Sequence, residues 1–181
     1  MSTDLVAYWS VPFQGILYEI EFEHGTVSGK RSVRVNGKEV IRREWMFKLV
    51  GSEKFEIKGV TFEIKIDPAT TFAYSYTLEI NGLEYEKFTE KYSQLNKTWL
   101  VELDDEIYRV VMEKETLDVW ANGQKLETQG EFVDDGSELH FVLGKNPAYI
   151  KTVSSGKRRE GIIHNLIVND TVIPETLDQN L

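Results

Sequence analysis

The chain has 181 residues, of which 41% are hydrophobic, 28% charged and 12% aromatic; this composition builds one ordinary domain or two small ones and is not that of a disordered segment. A net charge of −9 sets the surface against phosphate backbones and anionic lipid, so nucleic-acid binding is not expected. There is no cysteine, which excludes disulfides, thiolate catalysis and cysteine-based zinc sites and, for units this small, points to a cytoplasmic location.

The N-terminus, MSTDLVAYWSVPF, lacks a basic stretch followed by an apolar run, so no secretory signal peptide is expected. No apolar run reaches transmembrane length, so no membrane insertion is expected. Asp4 to Val11 reads as a first strand, with a turn over Pro12 to Gly15. From Leu17 to Glu23, Tyr18, Ile20 and Phe22 share one face and Glu19, Glu21 and Glu23 the other, which predicts a strand with one wet face. His24 to Gly29 reads as a loop. Val33 and Val35 lead into Asn36-Gly37, a pair suited to a type I′ hairpin because both residues tolerate positive φ. Lys38 to Arg42 is the returning strand.

Trp45, Phe47 and Leu49 then alternate with Met46 and Lys48, as in a strand, until Gly51. Phe55 and Ile57 precede a break at Gly59, and Phe62, Ile64 and Ile66 mark the next strand, closed by Asp67-Pro68. Phe72, Tyr74, Tyr76, Leu78 and Ile80 share a face up to a second Asn-Gly pair, Asn81-Gly82. Glu84 to Lys97 changes period: Tyr85, Phe88, Tyr92 and Leu95 are three or four apart, which fits a short helix. Beyond it, strands are predicted around Trp99 to Leu103, Tyr108 to Met112 and Leu117 to Ala121. A third Asn-Gly pair, Asn122-Gly123, returns through Lys125 to Glu127. The acidic turn Asp134-Asp135-Gly136 leads to Leu139, Phe141 and Leu143. Tyr149 to Ser154 and Ile162 to Val168 flank a basic loop, Ser155 to Gly161, and Asn169-Asp170 turns the chain into Val172 to Pro174. Glu175 to Leu181 is expected to fray.

The order of elements repeats. Asn36 and Asn81 begin the turns of a first half, Asn122 and Asn169 those of a second, at nearly equal spacing. The expected fold is all-β: two tandem, similar antiparallel β-sandwich units with little helix. The expected units are residues 1–88 and 98–181, with a linker over 89–97.

No segment carries evident site chemistry. A metal site built on His140 and His164 would need their strands to pair in register, and ordinary half-buried imidazoles are the plainer reading of these two and of His24. The turns Asp104-Asp105-Glu106 and Asp134-Asp135-Gly136-Ser137-Glu138 could hold calcium between them, although Asp favours turns for backbone reasons alone. Gly25 to Arg31 resembles a phosphate loop only superficially, because its glycines are one residue too close and Arg31 stands where a magnesium-binding hydroxyl is needed. No Gly-x-Ser-x-Gly nucleophile elbow occurs. The carboxylates mostly alternate outward on strands, and no pair stands out for acid–base work. The one basic cluster, Lys157, Arg158 and Arg159, is a solvated loop or a docking spot for an acidic partner. No catalytic, cofactor-binding or metal-binding residue is therefore assigned, and no cofactor is expected.

Several long words stand out in order: Ile20 to Gly25 (IEFEHG), Ser28 to Arg31 (SGKR), Glu44 to Gly51 (EWMFKLVG), Phe72 to Gly82 (FAYSYTLEING), Asp118 to Gly123 (DVWANG), Lys125 to Gly136 (KLETQGEFVDDG) and Val153 to His164 (VSSGKRREGIIH). On these words the chain is similar, over nearly its whole length, to the Fas apoptotic inhibitory molecule family. Ala121 departs from the pattern, since vertebrate members carry a cysteine after that tryptophan; this points to a non-vertebrate or engineered source and leaves the expected fold intact. The resemblance implies a cytoplasmic, non-enzymatic interaction protein of the short, two-unit form. It implies negative regulation of death-receptor apoptosis, signalling towards NF-κB and neurite outgrowth, and protection against stress-induced protein aggregation. The implied partners are proteins, either death-receptor signalling components or misfolded clients. Exposed edge strands would also allow a homodimer. The alternative expectation is a calcium- or small-ligand-binding β-sandwich module.

Overall fold

The computed structural model describes residues 4–177. By its internal contacts the chain divides into two compact units: one runs to Lys91 with a break at Phe13–Ile16, and the other comprises Phe13–Ile16 and the chain from Tyr92 onward. The first unit's strands are β1 (Leu5–Phe13), β2 (Ile16–His24), β3 (Arg31–Val35) and β4 (Lys38–Arg43) in one sheet, then β5 (Gly51–Ile57), β6 (Val60–Pro68), β7 (Tyr74–Ile80) and β8 (Leu83–Glu84) in another. The helix α1 (Tyr85–Leu95) follows. The second unit has β9 (Asn96–Leu103), β10 (Glu106–Glu113), β11 (Val119–Ala121) and β12 (Gln124–Lys125) in one sheet. Its other sheet holds β13 (Gln129–Val133), β14 (Gly136–Leu143), β15 (Asn146–Ser154), β16 (Ile162–Val168) and β17 (Thr171–Ile173).

Each sheet is a meander in which sequence neighbours pair. The protein is thus all-β with a single helix among the described residues, in two sandwich-like units of the same connectivity. In the second unit, Trp99, Val101, Val110, Met112, Val119 and Ala121 from one sheet close on Phe141, Leu143, Ala148, Ile150, Leu166 and Val168 from the other. Burying each of the larger side chains contributes roughly 1.5–3 kcal/mol. In the first unit, Val11, Ile20, Phe22 and Val33 are buried on the first sheet and Phe62, Ile64, Ile66, Leu78 and Ile80 on the second. The Phe22 and Tyr76 rings meet edge-on there at 5.7 Å, an arrangement aromatic pairs favour.

The four asparagine turns are built alike. Asn36, Asn81, Asn122 and Asn169 all have φ near +48°, and each begins the last hairpin of its sheet. Each backbone N–H donates to a carbonyl on the strand beyond, that of Glu19, Thr61, Arg109 or Pro147. In three of the four, the asparagine Oδ1 also accepts from the N–H of that same residue: Glu19 at 2.8 Å, Thr61 at 3.0 Å and Arg109 at 2.8 Å. The fourth partner is proline, which has no N–H to give. There the Asn169 side chain turns and donates to Asn146 Oδ1 at 2.8 Å instead.

Three expectations are corrected. Residues 44–50 alternate in sequence but form no strand, because their backbone is tied elsewhere, as described below. Phe72 and Leu117 lie outside the strands expected to contain them, and both are exposed. Glu175 is not frayed: it bridges to Trp99, its carboxylate meets Lys97 Nζ at 2.9 Å, and the Thr176 N–H donates to the Thr98 carbonyl. The residues after Leu177 lie outside the described part of the chain. The expected linker over 89–97 falls on the second half of α1 and the start of β9. Asn96 Nδ2 donates to the Tyr92 carbonyl at the helix end and so satisfies one of its unpaired acceptors.

Candidate functional site

The segment Glu44 to Val50 is the most unusual surface of the first unit. Trp45 is 64% exposed and Phe47 88% exposed, with ring centroids 6.1 Å apart. Large aromatics cost free energy in water, and adjacent exposed ones mark interaction surfaces more often than they mark nothing. The backbone beneath them is firmly held. The Met46 N–H donates to the Ser28 carbonyl at 3.1 Å. Arg31, 2% exposed, donates through one guanidinium nitrogen to the Lys48 and Val50 carbonyls at 3.0 and 2.9 Å. Gly29, at φ +70°, lies so close that a Cβ there would sit 2.2 Å from the Met46 carbonyl oxygen. Only glycine fits that position.

Arg31 is anchored in turn. Its other terminal nitrogen meets Glu53 Oε1 at 3.2 Å, and Glu53 is 4% exposed. Arg43 Nε reaches the same oxygen at 2.8 Å from the surface. Arg31 is on β3 and Glu53 on β5, so this pair joins the two sheets of the unit. A buried ion pair is weak evidence of net stability, but it holds a particular geometry because either charge alone would be costly. Glu23 is also buried, paired with Arg34 at 3.0 Å and Lys30 at 3.2 Å. Period-two reading placed Glu23 on a wet face; instead these cations cover it.

His24 ends β2 and is 2% exposed, which corrects the reading that placed it in a loop. Its Nδ1 lies 2.8 Å from the Tyr76 hydroxyl, and its ring meets the edges of Tyr74 and Tyr76 at 5.2 and 5.6 Å. Burial, and then the positive charge of Arg31, hold its pKa below the ordinary histidine value. The Leu49 backbone opposes this shift, although Nε2 makes no hydrogen bond of full geometry.

A sequence model of the family described as Fas apoptotic inhibitory molecule (FAIM1) matches residues 5–176. Fas apoptotic inhibitory molecule 1 of Bos taurus is 58% identical over 178 residues, covering 97% of this chain and 89% of that protein. The proteins of the same name from Mus musculus and Homo sapiens are 58% and 57% identical over 175 residues, covering 96% of this chain and 98% of each. This chain belongs to the FAIM1 family. The name describes inhibition and carries no catalytic activity.

The words quoted above for the family resemblance hold the site just described. IEFEHG supplies Glu23 and His24, SGKR supplies Gly29 and Arg31, and EWMFKLVG is the aromatic segment itself. Their common purpose was not legible, because the contacts that join them run between strands.

Elsewhere in the FAIM1-family chain, His140 and His164 do not meet. β15 lies between their strands, so His140 pairs with Tyr149 while His164 pairs with Thr152. Thr152 Oγ1 and His164 Nδ1 are 2.9 Å apart, and burial, followed by the charges of Lys114 and Lys97, lowers the His164 pKa. Among the described residues the two acidic turns share no ligand set, although Glu138 of the second turn groups with Glu131 and His140. Asp104 accepts from Asn146, and Asp135 pairs with Lys151 at 3.1 Å. The repeated word SGKR meets two fates: Arg31 is buried, whereas Arg158 stands exposed on the basic loop, beside a Lys157–Glu160 ion pair at 3.2 Å. Among the described residues no helix is long and apolar enough to cross a membrane.

Proposed function

We propose that this FAIM1-family chain is a non-enzymatic, cytoplasmic interaction protein that restrains death-receptor apoptosis, acts on signalling towards NF-κB, and protects against stress-induced protein aggregation. The name of the relatives supports the first role. The observation that carries the interaction reading is the exposed Trp45–Phe47 pair on a backbone held by Arg31 and Gly29. A rigid aromatic pair can enter an apolar groove or cover the exposed apolar stretch of a misfolded client at little conformational cost. The partner is a protein, either a death-receptor signalling component or a client. The division into two tandem units, residues 1–88 and 98–181 about a linker at 89–97, and pairing of two copies through edge strands are part of this reading.

The test compares the wild-type chain with a Trp45→Ala, Phe47→Ala double variant. Two measurements are needed: suppression of aggregation of a heat-stressed client, and survival of cells treated with Fas ligand. The variant should fold and lose most of both effects, without added nucleotide or metal. A folded variant with full protection in both assays would remove the aromatic pair from the mechanism.

A further inference from the structure

On the outward face of the second unit's larger sheet, β13 and β14 bring three ligand side chains together. Glu131 lies directly across the ladder from Glu138. His140 is two residues beyond Glu138 on the same face, because alternate residues of a strand point the same way. His140 Nε2 lies 2.9 Å from Glu138 Oε2 and 3.9 Å from Glu131 Oε2. One ligand atom from each residue falls within 4.8 Å of the other two.

We propose that Glu131, Glu138 and His140 form a binding site for a divalent transition-metal ion, with zinc the best fit. The donor set is mixed, one imidazole nitrogen and two carboxylates, which suits zinc and related ions and not calcium or magnesium, which prefer oxygen alone. In a tetrahedral site, metal–ligand bonds of about 2.0–2.2 Å place the ligand atoms roughly 3.3–3.6 Å apart. The present separations bracket that value, so small side-chain rotations suffice and the backbone need not move.

Further features of the sheet agree. Like charges directly across a ladder destabilise a sheet, yet Glu131 faces Glu138. Lys151, the other cross-strand neighbour of Glu138, is instead paired with Asp135. A bound cation would relieve that repulsion. The His140 ring is also stacked on Tyr149 at 5.1 Å, which fixes its plane. Gln129, directly opposite His140, lines with His140 and Tyr149 a cleft of ≈1010 Å³. Water or a further ligand could complete the coordination from there.

Isothermal titration of the full chain with zinc chloride tests this, alongside Glu131→Gln, His140→Gln and a His164→Gln control, with circular dichroism to confirm folding. Cobalt(II) replaces zinc in a parallel titration read by visible absorption, which reports tetrahedral coordination. Wild type and the His164 variant should bind one equivalent, and the two triad variants should bind at least tenfold more weakly and lose the cobalt spectrum. If His140→Gln does not fold, Glu131→Gln decides, since that side chain is exposed. Absence of saturable binding by wild type, or triad variants that bind as wild type does, overturns the proposal.

Discussion

Arg31 and Glu53 form an ion pair of 3.2 Å between two sheets, with both side chains almost wholly buried. Arg31 simultaneously holds the carbonyls of Lys48 and Val50. One guanidinium therefore links the packing of a sandwich to the shape of its aromatic surface loop.

Replacing Arg31 with Met should separate these two roles. The variant leaves Glu53 buried with Arg43 as its remaining cation, and loss of one partner of a buried pair costs about 3–5 kcal/mol. Urea unfolding monitored by circular dichroism measures that loss. Hydrogen exchange at residues 45–50 should accelerate by more than the global destabilisation explains. If the exchange of this segment changes only in step with the core, Arg31 does not control the loop.

Removing the aromatic pair should barely affect stability. Trp45 and Phe47 are exposed, and exposed substitutions away from caps and buried networks usually change stability by no more than about 0.5 kcal/mol. An unfolding midpoint close to wild type is the expected result for Trp45→Ala, Phe47→Ala. A large drop would show that the rings are structural and that their exposure has another explanation.

The asparagine turns make a differential prediction. Glycine keeps the positive φ that each turn requires but deletes the side-chain bridge. Asn122→Gly should cost about 1–3 kcal/mol, the net worth of two hydrogen bonds, because Oδ1 accepts from the Arg109 N–H and Nδ2 donates to the Ile107 carbonyl. Asn169→Gly should cost less, since its side chain makes a single bond, to the Asn146 side chain, and holds no N–H of the neighbouring strand. Equal losses at both positions would count against this account of the turns.

Stability should fall on acidification. The folded-state pKa values of His24 and His164 are lowered, so the unfolded chain binds protons more readily than the folded one. That stabilisation is fully present above the unfolded value of about 6.5 and is lost as pH falls from there towards the folded values. Unfolding free energies measured across this window should rise with pH, and His164→Gln should show a shallower rise. A profile flat through the window would contradict the buried environments described for both rings.

Much of the fold was legible because hydrophobic periodicity and turn chemistry are local. Tyr18, Ile20 and Phe22, or Phe62, Ile64 and Ile66, announce a strand and its inner face without reference to any partner. The Asn-Gly pairs announce hairpins for the same reason. The helix at Tyr85–Leu95 was readable from a change of period. The segment 44–50 misled because its alternation imitates a strand while its backbone is claimed by Ser28 and Arg31. Glu23 and His24 misled in the opposite sense. Their residue types suggest solvent or a loop, and only distant cations and tyrosines make burial tolerable.

The amino-acid order by itself determined most of the strands, the turns, the tandem repeat and the kinship, since each depends on residue type and short spacing. Tertiary structure decided which charges are buried as pairs, which aromatics face water, and which three ligands meet on β13 and β14. Those outcomes depend on strand register and sheet packing, which bring together residues that no local pattern relates.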